Sequence, residues 1–146
     1  MTGRLRSAKG FDSAALPAGH GYCIYTRRKQ PLSVLARFES ADSGEVGVSV
    51  ITYGELLVGA AKSADPARTA YAHERFFAVI PLVPLPVEAG KTYGAIRAAL
   101  AKTGNLIGTN DLWIAAHALA SGLILVTNNQ REFKRVKDLR VENWAK

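Results

Sequence analysis

The sequence predicts an α/β domain built on a mainly parallel sheet, and three observations carry that expectation. Short β-rich runs alternate with segments of helical period, the pattern of βαβ units. The run from 123 to 126, Leu-Ile-Leu-Val, is continuously apolar, which suits a parallel strand covered on both faces. Around that run the chain supplies a helix start at Asn110-Asp111, a tight Ser121-Gly122 turn, and a polar trio, Thr127-Asn128-Asn129. The trio falls at the strand's carboxyl end, where open α/β sheets bind their ligands.

Residues 1–21 show no strand or helix period. Arg4, Arg6 and Lys9 precede a Gly/Ala/Ser/Pro-rich passage, so this segment is set apart as an atypical, poorly ordered N-terminus and 22–146 as the folded domain. Order begins at Tyr22-Cys23-Ile24-Tyr25. A basic turn, Arg27-Arg28-Lys29, and Pro31 follow, and Leu32, Leu35 and Phe38 then mark a short amphipathic helix. The run 46–51 reads as a strand passing straight into Thr52-Tyr53-Gly54-Glu55, whose spacing is that of a capping box opening a helix towards Lys62. Asp65 and Pro66 break that helix and begin another, as N-cap and first helical residue, reaching about Phe77. Prolines at 81 and 84 confine the next apolar run to a short or edge strand. A long helix follows over about 87–101, and Gly104 stops it. Asn110 is the expected N-cap of a helix apolar nearly all round, hence buried. A short basic helix over 131–136 and a last strand over 139–141 complete the pattern.

The chain has 146 residues, enough for one domain with a substantial core. Its formal charge of +7 and pI near 9.8 favour a polyanionic partner, nucleic acid first, or else a basic face kept for solubility. Cys23 is the only cysteine, so there is no disulfide framework, as expected of a cytoplasmic protein. No apolar run approaches the ~18 residues a membrane span requires, and the N-terminus lacks a signal peptide's apolar core. No GxGxxG or P-loop supports nucleotide-cofactor chemistry.

Glu55 and Asp111 each lie in the first turn of an expected helix. The helix at Glu55 directly follows a strand, so that acid belongs at the carboxyl edge near Thr127 and Asn129. Hard cations such as Mg²⁺ and Mn²⁺ take oxygen ligands, and a cation there lowers the pKa of bound water and neutralises a phosphoryl group under attack. Each residue also has a purely structural reading. Thr52 with Glu55, and Asn129 with Glu132, have capping-box spacing, and Asp111 answers the helix dipole. His117 reads as a hydrogen-bonded core histidine; His20, His73 and Cys23 have no companions at ligand spacing.

Three stretches together resemble a PIN domain of the virulence-associated protein C (VapC) toxin type. They are GEVGVSVITYGELLVGAAKS, TYGAIRAALAKTGNLIGTNDLWIAAHALASGLILVTNN, and REFKRV with LRVENW, in order over roughly residues 22–146. The resemblance implies a three-layer α/β/α fold with a central, mainly parallel sheet. It implies Mg²⁺- or Mn²⁺-dependent endoribonuclease activity, an RNA substrate, a cognate antitoxin and a homodimer. Carried over, Asp111 and Glu55 are the metal-binding acids, Asn129 holds the variable fourth position, and Thr127 is the hydroxyl preceding it.

The N-terminus departs from this pattern. The family opens with a central strand ending in Asp-Thr-Asn or Asp-Thr-Asp, followed by a Cys-Ile-Tyr-like helix start. Here Cys23-Ile24-Tyr25 is present, but Gly19, His20 and Gly21 stand where the first metal-binding Asp and its neighbours belong. The first strand is expected to be missing or degraded, and Asp12 is a poor substitute. A reading-frame slip accounts for the departure. Ala18 to Tyr22 can be encoded GCT GGA CAC GGA TAC; read one nucleotide later, with one further C, the letters give Leu-Asp-Thr-Asp-Thr. Three readings follow: a VapC-like ribonuclease impaired by loss of its first acid, an inert member that binds antitoxin or RNA, and a basic α/β module of unrelated function. Arg97, Lys102, Arg131, Lys134 and Arg135 are candidate phosphate contacts or a solvated basic face. Coding DNA for residues 16–22 that cannot yield an Asp in the next frame would remove the slip.

Overall fold

The computed structural model describes residues 22–24, 46–78 and 80–143. Gly19, His20, Asp12, the basic turn at 27–29 and the helix expected around Leu35 lie outside the described residues. The strands are β1 (Tyr22–Ile24), β2 (Val46–Ser49), β3 (Leu82–Val83), β4 (Ile124–Val126) and β5 (Val141–Glu142). The helices are α1 (Val50–Ala61) and α2 (Pro66–Phe77) between β2 and β3, α3 (Glu88–Lys102) and α4 (Thr109–Ala120) between β3 and β4, and α5 (Gln130–Phe133) before β5.

All five strands join one sheet in the order β3-β2-β1-β4-β5, every pair parallel. The centre is occupied by β1; the residues before Tyr22, on which the expected missing or degraded first strand falls, lie outside the described residues. Tyr22 pairs with Val46 on one side and Ile124 on the other, and Ile24 with Val48 and Val126. The strand is only three residues long, but an aromatic and a β-branched residue suit extended backbone, and two flanking ladders satisfy its N–H and C=O groups. Strand order reverses on either side of β1, so the carboxyl ends of β1 and β4 mark the crevice where open sheets place their sites.

Every residue of β2 and of β4 is buried. Successive side chains of a strand face opposite ways, so full burial requires cover on both sides, and the architecture is α/β/α. The main core gathers Ile96 and Leu100 from α3, Leu112 and Ile114 from α4, Leu125 from β4, and Phe133 from α5. Alanines at 115, 116 and 118 are completely buried. Their small side chains let neighbouring backbone approach closely, which is why α4 is apolar nearly all round.

Helix ends follow local chemistry, with two corrections. The Asp65 carboxylate accepts from the Arg68 N–H at 3.2 Å and Pro66 is the first residue of α2, as expected. The helix after β2 begins at Val50, however, because the Ser49 hydroxyl accepts from the Ile51 N–H at 3.1 Å. Thr52 and Glu55 therefore form no capping box, and Glu55 sits in the second turn. Gly108, not Asn110, is the N-cap of α4. At the far ends, Gly104 and Gly122 adopt φ of 71° and 67°. Each closes a Schellman turn: Gly104 N–H to Ala101 O with Asn105 N–H to Leu100 O, and Gly122 N–H to Leu119 O with Leu123 N–H to Ala118 O. The turn at Gly122 feeds α4 directly into β4, so α4 runs back along that strand and its first turn lies at the carboxyl edge. The last elements are displaced slightly: α5 ends at Phe133, short of Val136, and β5 begins at Val141.

A Cβ at 122 meets nothing within 4 Å, so strain alone decides a substitution there. Gly122→Ala should cost about 1 kcal/mol through the left-handed backbone. The denaturant midpoint should fall at unchanged slope; an unchanged midpoint would contradict the role given to this turn.

Candidate active site at the carboxyl edge

Ser49 ends β2 in a fully buried position and does two things at once. Its hydroxyl caps α1 through the Ile51 N–H and lies 2.7 Å from Nδ1 of His117 on α4. Oγ accepts one backbone N–H and keeps both a proton and a second lone pair, so it pairs with Nδ1 in either neutral tautomer. Burial pushes the His117 pKa from 6.5 down to about 4, against a weaker upward pull from the Pro84 backbone. His117 is thus a neutral, hydrogen-bonded core histidine, as its apolar setting suggested.

With α1 fixed to α4 in this way, their N-terminal halves meet. The Asn110 side-chain amide donates to Glu55 Oε2 at 3.2 Å, across 55 positions of sequence. Asp111, the next residue, is in the first turn of α4 and 1% exposed. Glu55 and Asp111 are therefore brought to the same corner, with Asn110 as the contact between the two helices. Sequence reasoning assigned Asn110 to capping; once Gly108 takes that position, its side chain is available for the partner helix.

Thr127 and Asn129 follow β4 at the same edge. Thr127 is buried, its N–H bonded to Glu142 O at 2.9 Å, and its hydroxyl accepts from the Asn129 N–H at 3.0 Å. The Asn129 amide donates to Glu132 Oε1 at 2.5 Å, so the expected Asn129–Glu132 pairing forms between side chains without a side-chain cap of α5. Glu132 is an acid at this edge that the sequence reading used only as a capping partner.

These donors are two carboxylates, an amide and a hydroxyl, the oxygen ligands that hard cations take. Among the described residues, no three of His, Cys, Asp and Glu gather as a metal-holding group. The set fits Mg²⁺ or Mn²⁺ in kind, with two carboxylates at the corner. Two of the candidate phosphate-binding arginines have internal roles. Arg97 donates to the Tyr93 hydroxyl at 2.7 Å, on a Tyr93 ring stacked 3.9 Å from Trp113. Arg135 donates to the carbonyls of Asn105 and Leu106 at 3.3 and 3.2 Å, bracing the loop before α4. No helix among the described residues is long and apolar enough to cross a membrane.

A family profile, the PIN domain, matches residues 22–139. Ribonuclease VapC2 of Haemophilus influenzae is 46% identical over 122 residues, covering 84% of this chain and 92% of that protein. The tRNA(fMet)-specific endonuclease VapC of Shigella flexneri is 42% identical, with 84% and 92% covered. Among solved structures, DNA-bound VapBC from Salmonella typhimurium superimposes with a TM-score of 0.79 at 34% identity, covering 85% of this chain and 98% of that one.

His117 provides a test of the framework. The folded state refuses a proton that the unfolded chain accepts between pH 6.5 and about 4. Stability should therefore fall on acidification through that window, by on the order of 3 kcal/mol in total. His117→Gln should be less stable at pH 7 but flatter between pH 7 and 4 in denaturant melts; an unchanged pH slope would contradict the assignment.

Proposed function

The chain belongs to the PIN-domain family, in its VapC toxin branch, and from that premise we propose that it is the endoribonuclease toxin of a toxin–antitoxin pair. The observation that carries the reading is the Asn110–Glu55 hydrogen bond, which ties Glu55 to the first turn of α4, the turn that carries Asp111. Glu55 and Asp111 would hold Mg²⁺ or Mn²⁺, with Asn129 and Thr127 completing the edge. When bound, such a cation activates water and neutralises charge on a phosphodiester. Around it, the chain's own residues orient: Asn110 fixes Glu55, Thr127 fixes the turn that presents Asn129, and the basic surface draws in RNA.

Activity is reduced in this chain. Gly19 stands where the family resemblance expects the first acid, and two carboxylates bind a divalent ion more weakly than three. An out-of-frame reading up to Tyr22, with the frame restored at Cys23, accounts for the substitution, and the family match opens at residue 22. A second reading, an inert PIN protein that binds antitoxin or RNA, is favoured by the lack of a three-acid group among the described residues. The natural partners are an antitoxin protein and a second copy of the chain. For the latter, Val50, Gly54, Leu57, Val58 and Ala61 form one exposed, apolar stripe along α1. A helix apolar on both sides calls for a second partner.

Incubation of RNA with the protein in Mg²⁺ or Mn²⁺ tests the reading. Slow cleavage is expected, at least about 100-fold below intact relatives, as befits loss of a group that stabilises transition-state charge. It should vanish with chelator and in Asp111→Ala. Cleavage at the relatives' rate would contradict the impairment, whereas salt-sensitive RNA binding without cleavage would favour the inert reading. Separately, Val58→Glu should halve the mass measured by light scattering; an unchanged dimer would place the interface elsewhere.

A further inference from the structure

We propose that Asn110 is a positioning residue whose side-chain amide holds the Glu55 carboxylate in place for a divalent cation. The inference rests on the metal site proposed above and deepens it. Glu55 is half-buried in the second turn of α1, on a side chain with three rotatable torsions. A carboxylate so placed samples many directions unless something selects one. Among its contacts, Asn110 Nδ2 donates to Oε2 at 3.2 Å and so helps to select one.

The orientation of the amide is fixed by chemistry, because an ionised carboxylate only accepts and the NH₂ group must face it. The choice of residue also matters. Lysine or arginine here would neutralise Glu55 and compete with the cation, whereas a neutral amide orders the carboxylate and leaves its charge intact. One N–H engages one of the roughly four acceptor positions of a carboxylate. Asn110 adjoins Asp111 in the first turn of α4, so a single stretch of backbone delivers one acid and tethers the other. Partners of this kind around metal ligands typically change affinity by about 10- to 100-fold when removed.

Mn²⁺ binding followed by electron paramagnetic resonance separates the possibilities, using the full chain, Asn110→Ala, Asn110→Leu, Glu55→Gln and the Glu55→Gln/Asn110→Ala double variant. Loss of the tether should weaken Mn²⁺ binding about tenfold in both Asn110 variants, with an unchanged metal-free melting temperature. Glu55→Gln should weaken it at least as much, and the double variant should be no worse than Glu55→Gln alone, because Asn110 acts through that carboxylate. Wild-type affinity in the Asn110 variants, with weakened Glu55→Gln, would overturn this proposal alone. Additive losses in the double variant, or a lowered metal-free melting temperature, would overturn it too. A Glu55→Gln variant that binds Mn²⁺ like the parent, or a parent that binds none, would bring down both this proposal and the metal site.

Discussion

The buried hydrogen bond between Ser49 and His117 is the constraint on which the corner of the molecule depends. One hydroxyl ends β2, caps α1 and grips α4, so two consecutive elements and a helix 68 residues further on share a single atom. Both partners are completely buried. Breaking such a contact strands a polar group away from water, which typically costs about 1–3 kcal/mol. The geometry of α1 against α4 is thus specified inside the fold, and the polar contact between Glu55 and Asn110 at the surface inherits its register from that point.

Much of the architecture was legible because it is written in local chemistry. Asp65-Pro66, Gly104 and Gly122 punctuate the helices where their side chains or backbone torsions demand, and the apolar run before Thr127 suits a strand covered on both faces. Boundaries failed where two residues competed for one task. Thr52 with Glu55 has the spacing of a capping box, but Ser49 ends the strand and its hydroxyl takes the Ile51 N–H. Asn110 is a good cap by composition, yet Gly108 takes the position and frees the amide. The centre of the sheet illustrates a different limit. Three residues are too few to carry a period, and their strand is stabilised by ladders to β2 and β4 that no local pattern encodes.

The candidate site was legible only in part. Glu55 and Asp111 each carry local signals indistinguishable from helix capping and dipole compensation; what would separate function from structure is their meeting at one ion, which only tertiary structure can bring about. The family likeness supplied the pairing, and the contact through Asn110 gives it a physical basis. The basic residues show the converse. Charge alone marked Arg97 and Arg135 for phosphate, while their geometry engages them with Tyr93 and with the loop carbonyls ahead of α4. Arg135 thereby braces the approach to Asp111.

The central claim is that Glu55 and Asp111 share one divalent ion at the carboxyl edge of the sheet. Anomalous diffraction from crystals soaked in Mn²⁺ locates that ion without relying on turnover. The account predicts a peak within coordination distance of both carboxylates. Density bound to other residues, or no peak at saturating Mn²⁺, would contradict it.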